Sequence, residues 1–119
     1  ISKQALKRWF SDEFLEKNFS TYDLFTKILD KEPSDHKNFL KAYELFANHE
    51  DNVEKIKKIK TKTLVMTGSN DEGSTPNMSK KLVSDLNNSQ YTEIKHGKHL
   101  CSIECSNDVN MNIKKFVSN

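Results

Sequence analysis

Two residues in the second half of the chain have types and positions suited to acid–base chemistry. Asp71 lies in the polar loop Gly68-Ser69-Asn70-Asp71-Glu72-Gly73-Ser74-Thr75-Pro76, directly after the apolar run Thr63-Leu64-Val65-Met66-Thr67. His99 lies in Lys95-His96-Gly97-Lys98-His99-Leu100, after the alternating stretch 90–95. A carboxylate that accepts from one imidazole nitrogen fixes the tautomer and stabilises the imidazolium, leaving the other nitrogen free as a general base. Glu72 is a second carboxylate in the same loop; Asp71 is favoured because it lies closer to the end of the apolar run. From spacing alone another reading stays open, in which Asp71 caps its own loop and His99 is an exposed loop residue.

Such a pair needs two strands that end at the same edge. The run 63–67 reads as a strand buried on both faces, and 90–95 as a second strand. Between them Pro76 opens a helix with Met78, Leu82 and Leu86 inward, which Asn87-Asn88 ends. Ser106 then caps a terminal helix with Val109, Ile113, Phe116 and Val117 on one side. Strand, helix, strand, helix makes a βαβα unit with two parallel strands, hence an α/β fold class. In open sheets of this kind ligands gather at the carboxyl ends of the strands, where Asp71 and His99 both fall. All three glycines, Gly68, Gly73 and Gly97, lie in these two loops. A two-stranded parallel sheet leaves edges and faces uncovered, so strand 63–67 is expected to need a neighbour on each side.

The first half has a different habit. It holds no glycine before Gly68 and most of the aromatics: Trp9, Phe10, Phe14, Phe19, Tyr22, Phe25, Phe39, Tyr43 and Phe46. Ser11 before Asp12 and Glu13 predicts a capped helix start. Ser20 with Asp23 predicts a capping box opening a second helix, on which Tyr22, Phe25, Ile28 and Leu29 share a face. Pro33 is expected to close it, and Ser34-Asp35 to cap a third helix carrying Phe39, Tyr43 and Phe46. The stretch 1–59 therefore reads as an aromatic-faced helical layer, with most of its aromatics in the core.

Composition narrows the function classes. The chain has 119 residues and a formal net charge of +2, which suits a single domain without a polyanionic partner. Lys55, Lys57, Lys58, Lys60 and Lys62 alternate with Val53, Ile56 and Ile59, the pattern of a solvated helix face, so no nucleic acid partner is expected. No apolar run approaches the ~20 residues of a membrane span, and the start lacks a signal-peptide core, so a cytoplasmic location is expected. Cys101 and Cys105 are too few for a disulfide framework. With His96 and His99 they could form a zinc site, although the spacing matches no standard finger and His99 cannot be both base and ligand.

The order of these pieces resembles the C-terminal end of the α/β-hydrolase fold family. The resemblance rests on Leu64-Val65-Met66-Thr67-Gly68, Asp71, Pro76, Gly97 and His99, with Ile103-Glu104 and Phe116 trailing. Upstream, Arg8-Trp9-Phe10-Ser11-Asp12-Glu13-Phe14 resembles the start of the helical cap of 3-oxoadipate enol-lactonases and related esterases, and the helices leading to Ile56-Lys57-Lys58-Ile59 resemble the rest. The resemblance implies a cap, or lid, over 1–59 and the C-terminal part of the hydrolase core over 60–119. It implies Asp71 as the acid and His99 as the base of a Ser-His-Asp triad, Trp9 and Phe10 lining the pocket, and a small ester or lactone as substrate. No metal or organic cofactor is implied. The family's G-x-S-x-G nucleophile elbow has no counterpart, because Gly68-Ser69 and Gly73-Ser74 both lie in the acid loop. The nucleophile, oxyanion hole and remaining strands are thus expected outside these 119 residues, and the chain alone is expected to be inactive. The alternative is a non-enzymatic binding protein that forms a homo-oligomer through its exposed sheet edge.

Overall fold

A computed structural model of the chain describes residues 2–31 and 36–119. The N-terminal part is helical: α1 (Ser2–Trp9), α2 (Asp12–Lys17), α3 (Phe19–Leu29), α4 (Lys37–Ala47) and the single turn α5 (Val53–Ile56). Then follow β1 (Thr63–Gly68), α6 (Pro76–Asp85), β2 (Ser89–Ile94), α7 (Cys101–Glu104) and α8 (Ser106–Ser118). The two strands pair in parallel, from Thr63 opposite Ser89 to Gly68 opposite Ile94. Both α6 and α8 pack against both strands, the arrangement of an α/β unit. None of the helices is long and apolar enough to cross a membrane among the described residues.

Local chemistry sets several boundaries. Ser11 Oγ accepts from Phe14 N at 3.2 Å and starts α2, with Asp12 and Glu13 at the positive end of the helix dipole. Thr75 Oγ1 accepts from Met78 N at 3.3 Å, and Pro76 occupies the first turn of α6, where a missing N–H costs nothing. The expected capping box at Ser20 and Asp23 does not form. Instead the Asn18 carbonyl accepts from Thr21 and Tyr22, so α3 begins at Phe19, and Asp23 pairs with Lys27 one turn on, at 2.6 Å. The expected stop at Pro33 and cap at Ser34-Asp35 lie outside the described residues. The lysine-bearing stretch 55–62 is helical only at its start, in α5.

The core is small. Ala5, Leu6, Phe10, Ile94 and Val109 are its buried apolar side chains. Phe10 stacks on Phe14 at 5.1 Å and meets Phe25 edge-on at 5.4 Å, the geometry favoured by ring quadrupoles. Several residues expected inside are exposed. Met78 is 59% exposed and Leu82 and Ile113 also face outward, because no described element covers those sides of α6 and α8. Leu64, Val65 and Met66 are half-buried and not enclosed on both faces, since β1 pairs with β2 alone. Phe39, Tyr43 and Phe46 are likewise not core: α4 is exposed along its length, with Phe46 at 76%. The radius of gyration is 16.4 Å, against about 13.5 Å for a compact domain of this length.

Candidate active site

The site is built where the two strands end. Past β1, Ser69 N donates to the Ile94 carbonyl at 2.9 Å and Asn70 N to the Gly97 carbonyl at 2.9 Å. His96 N donates to Ser69 Oγ at 2.8 Å. These bonds lock the loop after β1 to the loop after β2. Their approach requires Gly68: a Cβ there would stand 2.5 Å from the Lys98 carbonyl oxygen, closer than van der Waals contact permits. His96 adopts the left-handed conformation (φ 64°) that turns the chain into this loop.

Within this frame Asp71 and His99 meet. His99 Nδ1 lies 2.9 Å from Asp71 Oδ2. The other carboxylate oxygen, Oδ1, accepts from Gly73 N and Ser74 N, each at 2.9 Å. Asp71 is thus held by three donors and is buried, while the His99 side chain keeps 43% of its surface. An ionised carboxylate can only accept, so Nδ1 carries the proton and the lone pair of neutral His99 is on Nε2. Glu72, the other candidate acid, is exposed and the bond to His99 is made by Asp71.

An apolar cleft of about 980 Å³ opens over the pair. Trp9, Phe25, Ile28, Phe39 and Tyr43 supply apolar walls, Arg8, Lys31 and His36 polar ones, and Asp71 and His99 lie in its lining. A mostly apolar pocket with a few convergent polar groups suits a small organic ligand. Of the two side chains expected to line a pocket, Trp9 does so, with its ring edge-on to Phe25 at 6.2 Å. Phe10 does not: it is 0% exposed. Both rings meet Phe25, but Trp9 lines the cleft and Phe10 is buried in the core.

The zinc arrangement is not formed. Among the described residues no three His, Cys, Asp or Glu side chains come together to hold a metal ion, and His99 Nδ1 is already bound to Asp71. Burial pushes the Cys101 thiol up, and the nearby charge of Asp71 adds to this; Cys105 is raised likewise, burial first. Both are free thiols held in the neutral, weakly nucleophilic form.

One residue has a part that its sequence position does not reveal. Glu104, at the end of α7, accepts from Ser11 N through Oε1 at 2.9 Å and from Lys98 N through Oε2 at 3.1 Å. Its partners are backbone amides, which carry no residue identity, so no side-chain pattern marks the pairing.

No protein-family model and no curated protein matches the sequence significantly. Among solved structures, the chain is similar to the enol-lactonase from Burkholderia xenovorans LB400, with a TM-score of 0.88 and 19% sequence identity. The match covers 99% of this chain and 44% of that one, so the chain spans less than half the length of its structural neighbour. The fold of these residues is that of the C-terminal part of an α/β-hydrolase.

Proposed function

We propose that the chain supplies the acid and base of a serine hydrolase acting on a small ester or lactone. The observation that carries this reading is the 2.9 Å bond between Asp71 Oδ2 and His99 Nδ1 in the lining of an apolar cleft. In the proposed reaction a serine contributed from outside these 119 residues attacks the carbonyl carbon. His99 Nε2 takes the serine proton and delivers it to the leaving oxygen as the acyl-enzyme forms. The base then draws a proton from water, whose oxygen attacks the acyl carbon, and returns it to the serine. Asp71 holds Nδ1–H and stabilises the imidazolium at each transfer. Trp9, as part of a helical cap over 1–59, shapes the substrate side of the cleft. The similarity to an enol-lactonase supports lactone among the substrates. The free thiols of Cys101 and Cys105 suit a cytoplasmic protein.

Labelling with a fluorophosphonate, which reacts covalently with activated serines, tests this reading. Protein expressed from the whole reading frame should be labelled at a serine in a G-x-S-x-G elbow, and the 119 residues alone should remain unlabelled. Labelling of the short chain, or of no residue in the long one, contradicts it.

A second reading is self-association. It is supported by the unpaired edge of β1 among the described residues and by the exposed apolar side chains Met78, Leu82 and Val117. Light scattering that finds only monomer at high concentration removes it.

A further inference from the structure

We infer that Glu104 is a positioning residue for His99, clamping its loop to the end of α1. The residues on either side of His99 are both tied to that helix: Leu100 N donates to the Trp9 carbonyl at 3.0 Å, and Lys98 Nζ to the Lys7 carbonyl at 2.6 Å. Glu104 closes the arrangement by accepting from Lys98 N with one oxygen and from Ser11 N with the other. The amides it joins are 87 positions apart (98 − 11). Without Glu104 the loop would keep the Leu100–Trp9 and Lys98–Lys7 bonds but lose its link to Ser11 N and the acceptor for Lys98 N. The backbone just before His99 would then be held less tightly relative to Trp9 and the cleft.

The chemistry of the clamp is specific to a carboxylate of this length. Two N–H donors, one on each oxygen, require two acceptors. Glutamine has the same shape but offers one acceptor and an NH₂ group, so one of the two amides must face a donor. Aspartate keeps both acceptors but is one methylene shorter and cannot span both amides. The positioning role rests on His99 acting as the base proposed above; the clamp itself does not.

The test is NMR of the full-length protein, following imidazole nitrogens and backbone amides in wild type, Glu104→Gln, Glu104→Asp and Asp71→Asn. In Glu104→Gln, exchange of the Lys98 and Ser11 amides should accelerate about fivefold or more. The His99 Nδ1 proton should exchange faster by a similar factor although Asp71 is intact. Glu104→Asp should fall between wild type and Glu104→Gln, and carries the comparison should the latter not fold. Asp71→Asn should release the Nδ1 proton while leaving the Ser11 amide slow. Wild-type Nδ1 exchange in a folded Glu104 variant overturns the inference. Wild-type tautomer and exchange in Asp71→Asn instead overturn the acid–base reading of His99, even where the Glu104 variants still loosen Ser11 and Lys98.

Discussion

The carbonyl carbon of Gly97 lies 2.6 Å from the point that a Cβ on Gly68 would occupy. The loops carrying Asp71 and His99 therefore touch backbone to backbone, and this contact allows two residues 28 positions apart to share a hydrogen bond. A methyl group at Gly68 has only main-chain atoms to displace. Gly68→Ala should destabilise the protein by about 1–3 kcal/mol, as overpacking does, and lengthen the Asp71–His99 bond. Urea denaturation reads the first effect; a loss under about 0.5 kcal/mol would show that the loops can part without consequence.

Trp9 and Phe10 are neighbours with opposite duties, and substitution should separate them. Phe10→Ala empties a fully buried site and should cost about 3–5 kcal/mol of stability. Trp9→Ala removes a wall of the cleft; it should leave folding less affected and act mainly on KM. Denaturation midpoints and steady-state kinetics on both variants check the split. Equal stability losses would place both rings in the core.

The parts of the fold that the sequence made legible depend on local chemistry. Pro76 marks a helix start by its missing N–H, and it stands in the first turn of α6. The apolar run before Gly68 marks a strand, and the equivalent ends of two parallel strands bring Asp71 beside His99. What depends on covering elements was not legible. Phe39, Met78 and Val117 have apolar types and helical spacing, yet they are exposed because no described element lies over them. Ser20 and Asp23 have the spacing of a capping box, but the Asn18 carbonyl starts the helix one residue ahead of Ser20. The burial of Phe10 and the bond from Ser11 N to Glu104 are long-range tertiary events with no local signature.

Tyr91 should titrate late. Desolvation, and then the bond its hydroxyl donates to Glu93 at 2.9 Å, favour the neutral phenol and push it up to about 12. A pKa raised by folding means that the stability from this group is fully present below the unfolded phenol's value of about 10. It is lost as pH rises from there towards 12. The midpoint difference between wild type and Tyr91→Phe should accordingly be flat below that window and shift against wild type within it. A flat difference throughout would mean that the phenol is not perturbed.

His96 holds a left-handed backbone with a side chain that gains nothing from it sterically. Glycine adopts that conformation without the cost of about 1–2 kcal/mol that an L side chain bears. His96→Gly should raise stability by roughly 0.5–1 kcal/mol once glycine's added unfolded-state freedom is subtracted. Hydrolytic turnover should stay within about twofold, since the group that contacts Asp71 is His99. A large loss of activity would assign His96 a part in the chemistry.

The proposed reaction stands or falls with His99. The most direct measurement is kcat for ester or lactone hydrolysis by protein expressed from the whole reading frame, with and without His99→Ala. Removal of the base of such a triad should lower kcat by about 10⁴-fold or more, with the variant still folded. A loss of less than about tenfold in a folded variant would contradict the role of the Asp71–His99 pair as acid and base.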